Sequence, residues 1–326
     1  MSIISKIESF AKLNILVIGD VMVDAYYFGS VDRISPEAPV SVISVSKKDH
    51  RPGGAANVAL NLKSLGAKTS LCAVVGKDEE GRELISLLKK ENIGVGGILI
   101  DTKRPTTIKT RVISGSTHLL RIDHESTDFV GVKIENQIIA FIEVIIKNVD
   151  AIIFEDYNKG LLTERIISTV IGLANKNNVP TIVDPKKVNF FTYKNCTLFK
   201  PNRKEIKEGL KTEMDLTKTE NLEMASQKLM DIINCKNVMV TLSEDGVFLK
   251  SKNKSSHIKA HQRSITDVSG AGDTVVSIAA LCLASGVELE LMAEIANIAG
   301  GLVCQKVGVV PIEPGELLDE IERLKI

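Results

Sequence analysis

The stretch Ile15-Leu-Val-Ile-Gly-Asp20 is a short apolar run that ends in an acidic residue. Similar runs, rich in Val and Ile, recur along the chain at 69–76, 151–156, 181–185 and 237–242. Amphipathic stretches such as Glu79–Lys90 and Leu162–Asn175 separate these runs and carry apolar residues at helical spacing. Continuously apolar strands that alternate with helices are typical of a parallel sheet covered on both faces. The sequence therefore predicts an α/β fold with a doubly wound, mostly parallel sheet.

Several of these predicted strands end in acidic residues, namely Asp20, Glu155–Asp156 and Asp184. In open α/β sheets, ligands bind outside the carboxyl ends of the strands. We therefore expect these acids to point towards a site.

Two excursions interrupt the strand–helix alternation. Asp24–Gly29 with Val40–Val45, and Thr106–Ile113 with His118–Ile122, alternate apolar and polar residues as half-solvated antiparallel strands do. The sequence predicts one domain over residues 1–326, with a small β-sheet lid formed by insertions at about 24–47 and 95–123. Lid strands with exposed apolar faces often pair with a second copy, so we expect a homodimer through the lid.

Composition excludes several classes of protein. The 326 residues contain 41 Lys+Arg and 41 Asp+Glu, and this zero net charge argues against a nucleic-acid binder while allowing a local anion pocket. The five scattered cysteines favour a reducing compartment over a disulfide framework. The longest weakly polar stretch, Val275–Val287, is too short to span a bilayer. We expect a cytoplasmic protein that binds neither nucleic acid nor membrane.

The strongest local motif is Asp267-Val-Ser-Gly-Ala-Gly-Asp273-Thr, which precedes an apolar helix predicted over Val275–Ser285. Gly270, Ala271 and Gly272 allow consecutive backbone N–H groups to point outward at a helix N-terminus, where they can bind phosphate. Asp273 lies in the first turn and can take a proton from an attacking hydroxyl. Alternatively, the Asp273 carboxylate only stabilises the helix by its interaction with the positive end of the helix dipole.

A second motif is Arg51-Pro-Gly-Gly-Ala-Ala-Asn57, which opens a helix that continues through Leu65. The paired Gly residues allow a ligand to approach the backbone, and the Asn57 amide can hydrogen-bond sugar hydroxyls. A Gly-rich turn that packs closely on a helix would look the same.

The third motif is Pro201-Asn-Arg-Lys-Glu205, where an amide and a carboxylate three residues apart suit water-mediated Mg²⁺ coordination near phosphates. A solvated helix N-terminus has the same spacing. Weaker candidates are acids, bases and cations at strand ends or in the excursions: Asp24, Asp156, Lys159, Asp184, Lys186, Arg33, Lys109 and Arg111.

Other catalytic signatures do not occur in the sequence. It has no G-x-x-x-x-G-K-[ST] phosphate loop and no strand-borne G-x-G-x-x-G. It also has no G-x-S-x-G nucleophile elbow and no H-E-x-x-H. A dinucleotide oxidoreductase is therefore disfavoured.

Together the motifs resemble the ribokinase-like (PfkB) family of sugar kinases over nearly the whole chain, with GGAAN (53–57) and DVSGAGDT (267–274) matching its two signature regions. The resemblance implies a Rossmann-like domain with a β lid, ATP and Mg²⁺ as cofactors, and K⁺ near Asp267. It implies that Asp273 is the catalytic base and that Gly270, Ala271 and Gly272 form the anion hole. Implied sugar-binding residues are Asp24, Gly53, Gly54 and Asn57, to which we add Arg111, Asp156 and Lys159. Implied nucleotide-binding residues are Asn202, Arg203, Lys204, Glu205, Thr241, Ser243, Gly246 and Asn297, with Glu205 also near Mg²⁺.

Within the family, segments such as Arg33-Ile-Ser-Pro-Glu-Ala-Pro-Val40 resemble the branch that phosphorylates O1 of D-glycero-β-D-manno-heptose 7-phosphate, for nucleotide-activated heptose and lipopolysaccharide core synthesis. Lys200 departs from the family pattern, in which Thr is commoner at this position. The alternatives are a kinase for another sugar or sugar phosphate and a non-catalytic sugar-phosphate sensor.

Overall fold

The computed structural model of the chain describes residues 3–115 and 117–326. Its strands are β1 Asn14–Gly19, β2 Val21–Ile34, β3 Ser41–Gly54, β4 Lys68–Gly76, β5 Gly94–Asp101, β6 Ile108–Ser114, β7 Thr117–His124, β8 Ala151–Glu155, β9 Thr181–Asp184, β10 Leu198–Phe199, β11 Asn237–Thr241, β12 Val247–Ser251 and β13 Ser255–Ile258. Its α-helices are α1 Ile3–Glu8, α2 Ala55–Ser64, α3 Glu79–Lys90, α4 Val132–Ile145, α5 Glu164–Lys176, α6 Arg203–Leu210, α7 Thr219–Ile233, α8 Ala271–Ala284, α9 Leu289–Val303 and α10 Pro314–Leu324.

Across these described residues, nine strands form one large sheet in the order β13-β12-β11-β10-β9-β8-β1-β4-β5. The strands from β11 to β5 run parallel, whereas β12 and β13 are added antiparallel at one edge. All five apolar runs of the sequence are strands of this sheet. The predicted α/β fold with a mostly parallel sheet is therefore confirmed.

The two faces of the large sheet are covered by different helices. One hydrophobic cluster packs α2, α3, α8, α9 and α10 against one face, and a second packs α4, α5, α6 and α7 against the other. Most strand side chains in the centre of the sheet are fully buried, so each strand had to be apolar on both sides. This double burial explains why the strands read as continuous apolar runs.

A second sheet contains four strands in the order β3-β2-β6-β7, with β2 and β6 parallel and the other two pairs antiparallel. We call it the small sheet. Gly94–Asp101, predicted to belong to the second insertion of the lid, instead pairs with β4 in the large sheet. In the second insertion, the small sheet therefore begins only at Ile108, because β5 forms its hydrogen bonds at the edge of the large sheet.

Strand β2 starts two residues after β1 ends, and β3 leads directly into α2. The small sheet is therefore continuous with β1 in the centre of the large sheet at one inner end and with α2 at the other. Within the described ranges, no helix is both long enough and apolar enough to cross a lipid bilayer.

Candidate active site

Asp273 lies in the first turn of α8 and is almost completely buried, with 6% of its surface exposed. The Asn57 amide donates a 2.6 Å hydrogen bond to Oδ2 of Asp273, and the Tyr157 hydroxyl donates a 3.2 Å bond to Oδ1. Oδ1 of Asn57 is buried and has no hydrogen-bond partner among the described residues. Buried polar atoms are normally paired, so this oxygen is a candidate contact for a ligand.

The glycine-rich turn before Asp273 has the geometry that the sequence predicts. Gly270 adopts φ +82°, which favours glycine, and a Cβ there would lie 3.1 Å from the Asn57 side-chain nitrogen. Ala271 and Gly272 begin the helix, and the Ala271 N–H donates to the carbonyl of Val268 at 3.3 Å. The positive end of the helix dipole lies beside Asp273, so the predicted binding of an anion by this turn stays a prediction with a suitable location.

Polar contacts fix α2 against α8 around this site. The Thr274 hydroxyl donates to Oδ1 of Asn61 at 3.0 Å, and the Ser277 hydroxyl donates to the carbonyl of Val58 at 3.4 Å. The Asn57–Asp273 bond joins the same two helices. These three contacts therefore set the position of the glycine turn relative to α2.

Three carboxyl groups meet below the glycine turn. Glu155, Asp184 and Asp273 each contribute an oxygen, and these oxygens lie within 4.8 Å of one another. Glu155 is fully buried, and neither of its carboxyl oxygens has a hydrogen-bond partner among the described residues. Burial, reinforced by the charges of Asp184 and Asp273, raises the pKa of Glu155 well above its usual value.

Two lysines offset this negative charge. The Lys200 ammonium is 2.9 Å from Oδ2 of Asp184, and the Lys186 ammonium is 3.6 Å from its Oδ1. Although burial alone would raise the pKa of Asp184, these two cations hold it below its usual value. The sequence placed Asp184 and Lys186 near a site but did not assign a role to Lys200, whose position in the pocket depends on the neighbouring strand.

The pKa of Asp273 is raised to about 6. Burial is the main cause, and the Asp184 charge adds to it, while the Asn57 hydrogen bond acts in the opposite direction. Around this value a carboxylate is basic enough to accept a proton and is still largely ionised at neutral pH. The environment of Asp273 therefore suits a general base.

The predicted sugar-binding residues form a cradle next to Asp273. Asp24 on β2 accepts a short hydrogen bond from Arg111 on β6. A Cβ at Gly53 would lie 2.0 Å from the Asp24 carboxylate, so a side chain there would displace this acid. Gly54 has φ +60°, and a Cβ there would meet the carbonyl of Asp20 at 2.5 Å. A side chain at either position would clash with its neighbours, which explains why both residues are glycine.

The loop that follows β8 is organised by Asp20. Its carboxylate accepts hydrogen bonds from the backbone N–H groups of Tyr157, Lys159 and Leu161, at 3.0, 2.9 and 3.2 Å. Burial and the nearby Asp156 charge raise the pKa of Asp20 to about 6. These bonds place the Tyr157 hydroxyl against Asp273, a contact for which the sequence offers no clear signal.

Asp156 is fully buried, and its carboxylate accepts from the Tyr193 hydroxyl at 2.7 Å and from the Asn189 amide at 3.1 Å. The backbone N–H of Asn158 is a further donor, at 2.8 Å. Protein donors thus already contact this side chain, and the substrate contact of Asp156 stays a prediction. Its neighbour Glu155 is the residue that faces the carboxyl cluster.

Two lysines near the cradle share one acidic partner. The ammonium groups of Lys109 and Lys159 lie 3.1 and 2.6 Å from opposite oxygens of Glu125. Lys109 pairs in register with Asp24, and Lys159 is two residues after Tyr157. Lys109 also contacts Asp123 at 3.1 Å, so this compact pair of cations is balanced by two carboxylates.

The segment 202–205 forms the start of α6. Asn202 and Glu205 make a capping box, in which each side chain accepts from the backbone N–H of the other, at 2.9 and 2.8 Å. The other oxygen of Glu205 accepts from Lys186 at 2.7 Å. Arg203 binds Asp245, whereas Lys204 is mostly exposed and pairs with Glu208. The helix-start interpretation of this segment is therefore confirmed, and its nucleotide contacts stay a prediction.

The other predicted nucleotide residues lie near the carboxyl end of β11. Thr241 bridges to Asn202, and Ser243 and Gly246 both have positive φ, +56° and +90°. The Asn297 amide on α9 donates to the carbonyl of Lys259 at 2.9 Å. Of these residues, the structure brings Thr241 next to Asn202.

Asp267, the predicted cation ligand, accepts hydrogen bonds from the backbone N–H groups of Ser269 and Gly308, both at 2.9 Å. Its carboxylate therefore connects two segments of the chain, 267–269 and the loop at Gly308.

Comparison with known proteins defines the class. The bifunctional protein HldE of Geotalea uraniireducens is 37% identical over 311 residues, which cover 95% of this chain and 63% of that protein. The bifunctional protein HldE of Helicobacter pylori (strain J99) is 40% identical over 295 residues, covering 90% and 63%. The chain thus spans about 63% of the length of these curated relatives. Phosphofructokinase-2 from Escherichia coli, in a complex with potassium, has a similar fold, with a TM-score of 0.80, 21% identity and coverage of 96% and 100%.

The fold is ribokinase-like. Residues 12–314 match the pfkB family carbohydrate kinase, and the chain belongs to that family. By this membership it is a carbohydrate kinase.

Kinases use Mg²⁺ together with ATP. In this protein, Glu205 and the three-carboxyl cluster are the two candidates to bind such an ion. Direct ligation by Glu205 would break either its capping box or its Lys186 contact. The Glu155, Asp184 and Asp273 cluster has suitable oxygens, but Lys200 and Lys186 already contact Asp184. These residues do not form a ready Mg²⁺ site, and a water-mediated contact of Glu205 stays a prediction.

We predict that Asp273→Asn stabilises the protein in a pH-dependent way. Because the folded-state pKa is about 6 and an unfolded Asp titrates near its usual value, wild type loses stability as the pH rises from about 4 to above 6. The variant avoids this loss, so the difference in the free energy of unfolding should grow to about 2–3 kcal/mol at pH 7.5. Urea unfolding at pH 4.5 to 8 measures it.

The control for this experiment is Asp231→Asn on the exposed side of α7. Its unfolding free energy should follow the wild-type curve in parallel. A constant difference between Asp273→Asn and wild type at every pH would contradict the raised pKa of Asp273.

Proposed function

We propose that this protein transfers the γ-phosphoryl group of ATP to O1 of D-glycero-β-D-manno-heptose 7-phosphate and releases the 1,7-bisphosphate. The observation that carries the proposal is the buried Asp273 at the N-terminal anion site of α8, next to the Asp24 and Gly53 cradle. The resemblance of segments such as residues 33–40 to the heptose-kinase branch supports the choice of sugar, as does the similarity to HldE proteins. The product would enter the synthesis of nucleotide-activated heptose for lipopolysaccharide core.

In the proposed step, the sugar O1–H proton passes to the Asp273 carboxylate while the O1–Pγ bond forms. The bond from Pγ to the β-phosphate oxygen breaks, and ADP leaves. Asn57 and Tyr157 orient Asp273 through their hydrogen bonds to its two oxygens. The N–H groups of the glycine turn stabilise charge on the transferring group, and such a donor is worth about 3–4 kcal/mol in other enzymes.

The small sheet serves as a lid in this proposal. It carries Asp24 and Arg111, so it holds part of the sugar cradle, and closing it over the substrate would exclude water that competes as phosphoryl acceptor. The cradle and the lid thus belong to one 1–326 kinase domain. All five cysteines are free and buried, which supports the proposed reducing, cytoplasmic setting.

A panel of acceptors tests the function. ADP release should be fastest with heptose 7-phosphate, compared with sedoheptulose 7-phosphate, fructose 6-phosphate and ribose, and ³¹P NMR should place the new phosphate on O1. Asp273→Asn should lower kcat by about 10²–10⁴-fold because the general base is lost, while the sugar still binds. Asp231→Asn should leave turnover unchanged.

Each outcome of the panel bears on the proposal. Faster turnover of another sugar would replace the heptose assignment while keeping the kinase class. Near-normal turnover by Asp273→Asn would reject Asp273 as the base. Sugar-phosphate binding without ADP release from wild type would favour a sensor.

The Lys109 and Lys159 pair supports a phosphorylated acceptor. Both ammonium groups lie on one carboxylate, Glu125, and both side chains are largely buried, with 14% exposed. A phosphate dianion offers a similar set of oxygens and a higher charge. We therefore assign the 7-phosphate to these lysines, with Arg111 as a further cation. Arg33 lies nine residues along β2 from the register partner of Lys109, about 30 Å away in an extended strand, so it is not part of this group.

We predict that Lys109→Met raises KM for heptose 7-phosphate about tenfold or more, since a hydrogen bond to a charged group is worth about 1.5–3 kcal/mol. kcat/KM for unphosphorylated heptose should change less than threefold. Lys47→Met, on an exposed position of β3 in the same sheet, is the matched control. Equal losses for both sugars would contradict the assignment of the phosphate to Lys109.

The small sheet also supports the proposed homodimer. Strand β7 lies at its edge, and all of its described residues are exposed. Its edge carries unpaired backbone groups as well as large apolar side chains, which favours association with another strand. The exposed apolar residues of the sheet are Val31, Ile34, Val45, Leu119, Leu120 and Ile122, with Val40 just before β3.

We predict that Ile122→Glu converts a dimer into a monomer, because it places a charge on this apolar face. Light scattering after size exclusion at micromolar concentration measures the mass. Val144→Glu, at a highly exposed position of α4, should leave the dimer intact. A monomeric wild-type protein at that concentration would reject the dimer.

A further inference from the structure

Lys200 is an unusual lysine because it is almost completely buried, with 3% of its surface exposed. Its ammonium group lies 2.9 Å from Oδ2 of Asp184 and 3.8 Å from the position that a Cβ on Gly272 would occupy. The cation is therefore next to the N-terminal turn of α8, which is the positive end of that helix. Burial next to the positive end of a helix disfavours the charged form of a lysine. The Asp184 carboxylate compensates for this by its contact with the ammonium group.

Lys200 adjoins three carboxyl groups of the type that ligates metal ions. Oxygens of Glu155, Asp184 and Asp273 lie within 4.8 Å of one another on three buried side chains. Carboxylate oxygens at this spacing suit Mg²⁺ or Mn²⁺. Glu155 is a second, independent sign of a cation, because both of its oxygens are buried without a hydrogen-bond partner among the described residues.

The Lys200 ammonium already contacts one oxygen of Asp184, a member of this cluster, at 2.9 Å. Lys186 contacts the other Asp184 oxygen at 3.6 Å and Glu205 at 2.7 Å. A divalent ion bound to Asp184 would therefore lie close to two fixed positive charges inside a buried pocket, where repulsion is weakly screened. It would also coordinate Asp273, and a metal-bound carboxylate is a poor proton acceptor.

We propose that Lys200 takes the place of a metal ion in this cluster, so that its ammonium holds Asp184 and keeps divalent cations away from Asp273. Lys200 is thus a positioning residue, and it leaves the Asp273 carboxylate available for a proton. The consequence for proton transfer rests on the proposed kinase function, whereas the exclusion of metal does not.

The test is Mn²⁺ binding without nucleotide, measured by electron paramagnetic resonance and calorimetry. We expect Lys200→Met to bind one Mn²⁺ at least tenfold more tightly than wild type. Adding Glu155→Gln to Lys200→Met should remove that ion, because Glu155 supplies one of its ligands. Lys250→Met is the matched control, since Lys250 is also a buried lysine on the large sheet and pairs with Glu223 away from this cluster.

Kinetics give a second measurement that separates this inference from the proposed function. Lys200→Met should lower kcat at high Mn²⁺ with less than a twofold change in KM for ATP, while Lys250→Met changes neither. If no sugar is phosphorylated by wild type, the proposed function fails, but the Mn²⁺ result still decides the role of Lys200.

Two results would overturn the inference. In the first, folded Lys200→Met binds Mn²⁺ no more tightly than wild type and Lys250→Met. In the second, wild type itself binds one Mn²⁺ that Glu155→Gln removes, and this measurement decides the matter even if Lys200→Met does not fold.

Discussion

The hydrogen bond from Asn57 to Asp273 is the contact on which the site depends. It joins residues 216 positions apart in the chain and bridges the start of α2 to the start of α8. Asn57 follows the glycines of the proposed sugar cradle, and Asp273 follows the glycines of the proposed anion site. One short bond therefore fixes the distance between the place where an acceptor would lie and the place where a phosphoryl group would arrive.

The same bond depends on the packing of two apolar helices. α8 is buried along most of its length, and α2 packs against it and the large sheet. The bonds from Thr274 to Asn61 and from Ser277 to the carbonyl of Val58 favour one register between these helices, since a shift would break both of them. Hydrophobic burial stabilises the contact between α2 and α8, and these small polar groups determine how the two helices are aligned.

Much of this arrangement could be predicted from the sequence. The apolar runs located the parallel strands because both sides of each strand are buried, and the glycine turns were visible because few residues other than glycine tolerate their backbone geometry. Strand β5 was misassigned because its glycine-rich alternation is that of an edge strand. Asp156 and Glu155 are adjacent and chemically similar, so only tertiary contacts could decide which one is satisfied by protein donors. The position of Lys200 depends on the neighbouring β9, which no local pattern encodes.

The junction between the two sheets has a mechanical consequence. Only Asp20 separates β1 from β2, and Gly54 connects β3 to α2, while the carbonyl of Asp20 accepts from the N–H of Ala55 at 3.0 Å. A tilt of the small sheet at these two points would therefore act on the first turn of α2. Asn57 lies in that turn, and the Asp20 carboxylate also holds the loop that carries Tyr157. Both partners of Asp273 are thus attached to the same junction, so a closure of the small sheet over a ligand would also change the position of the proposed base.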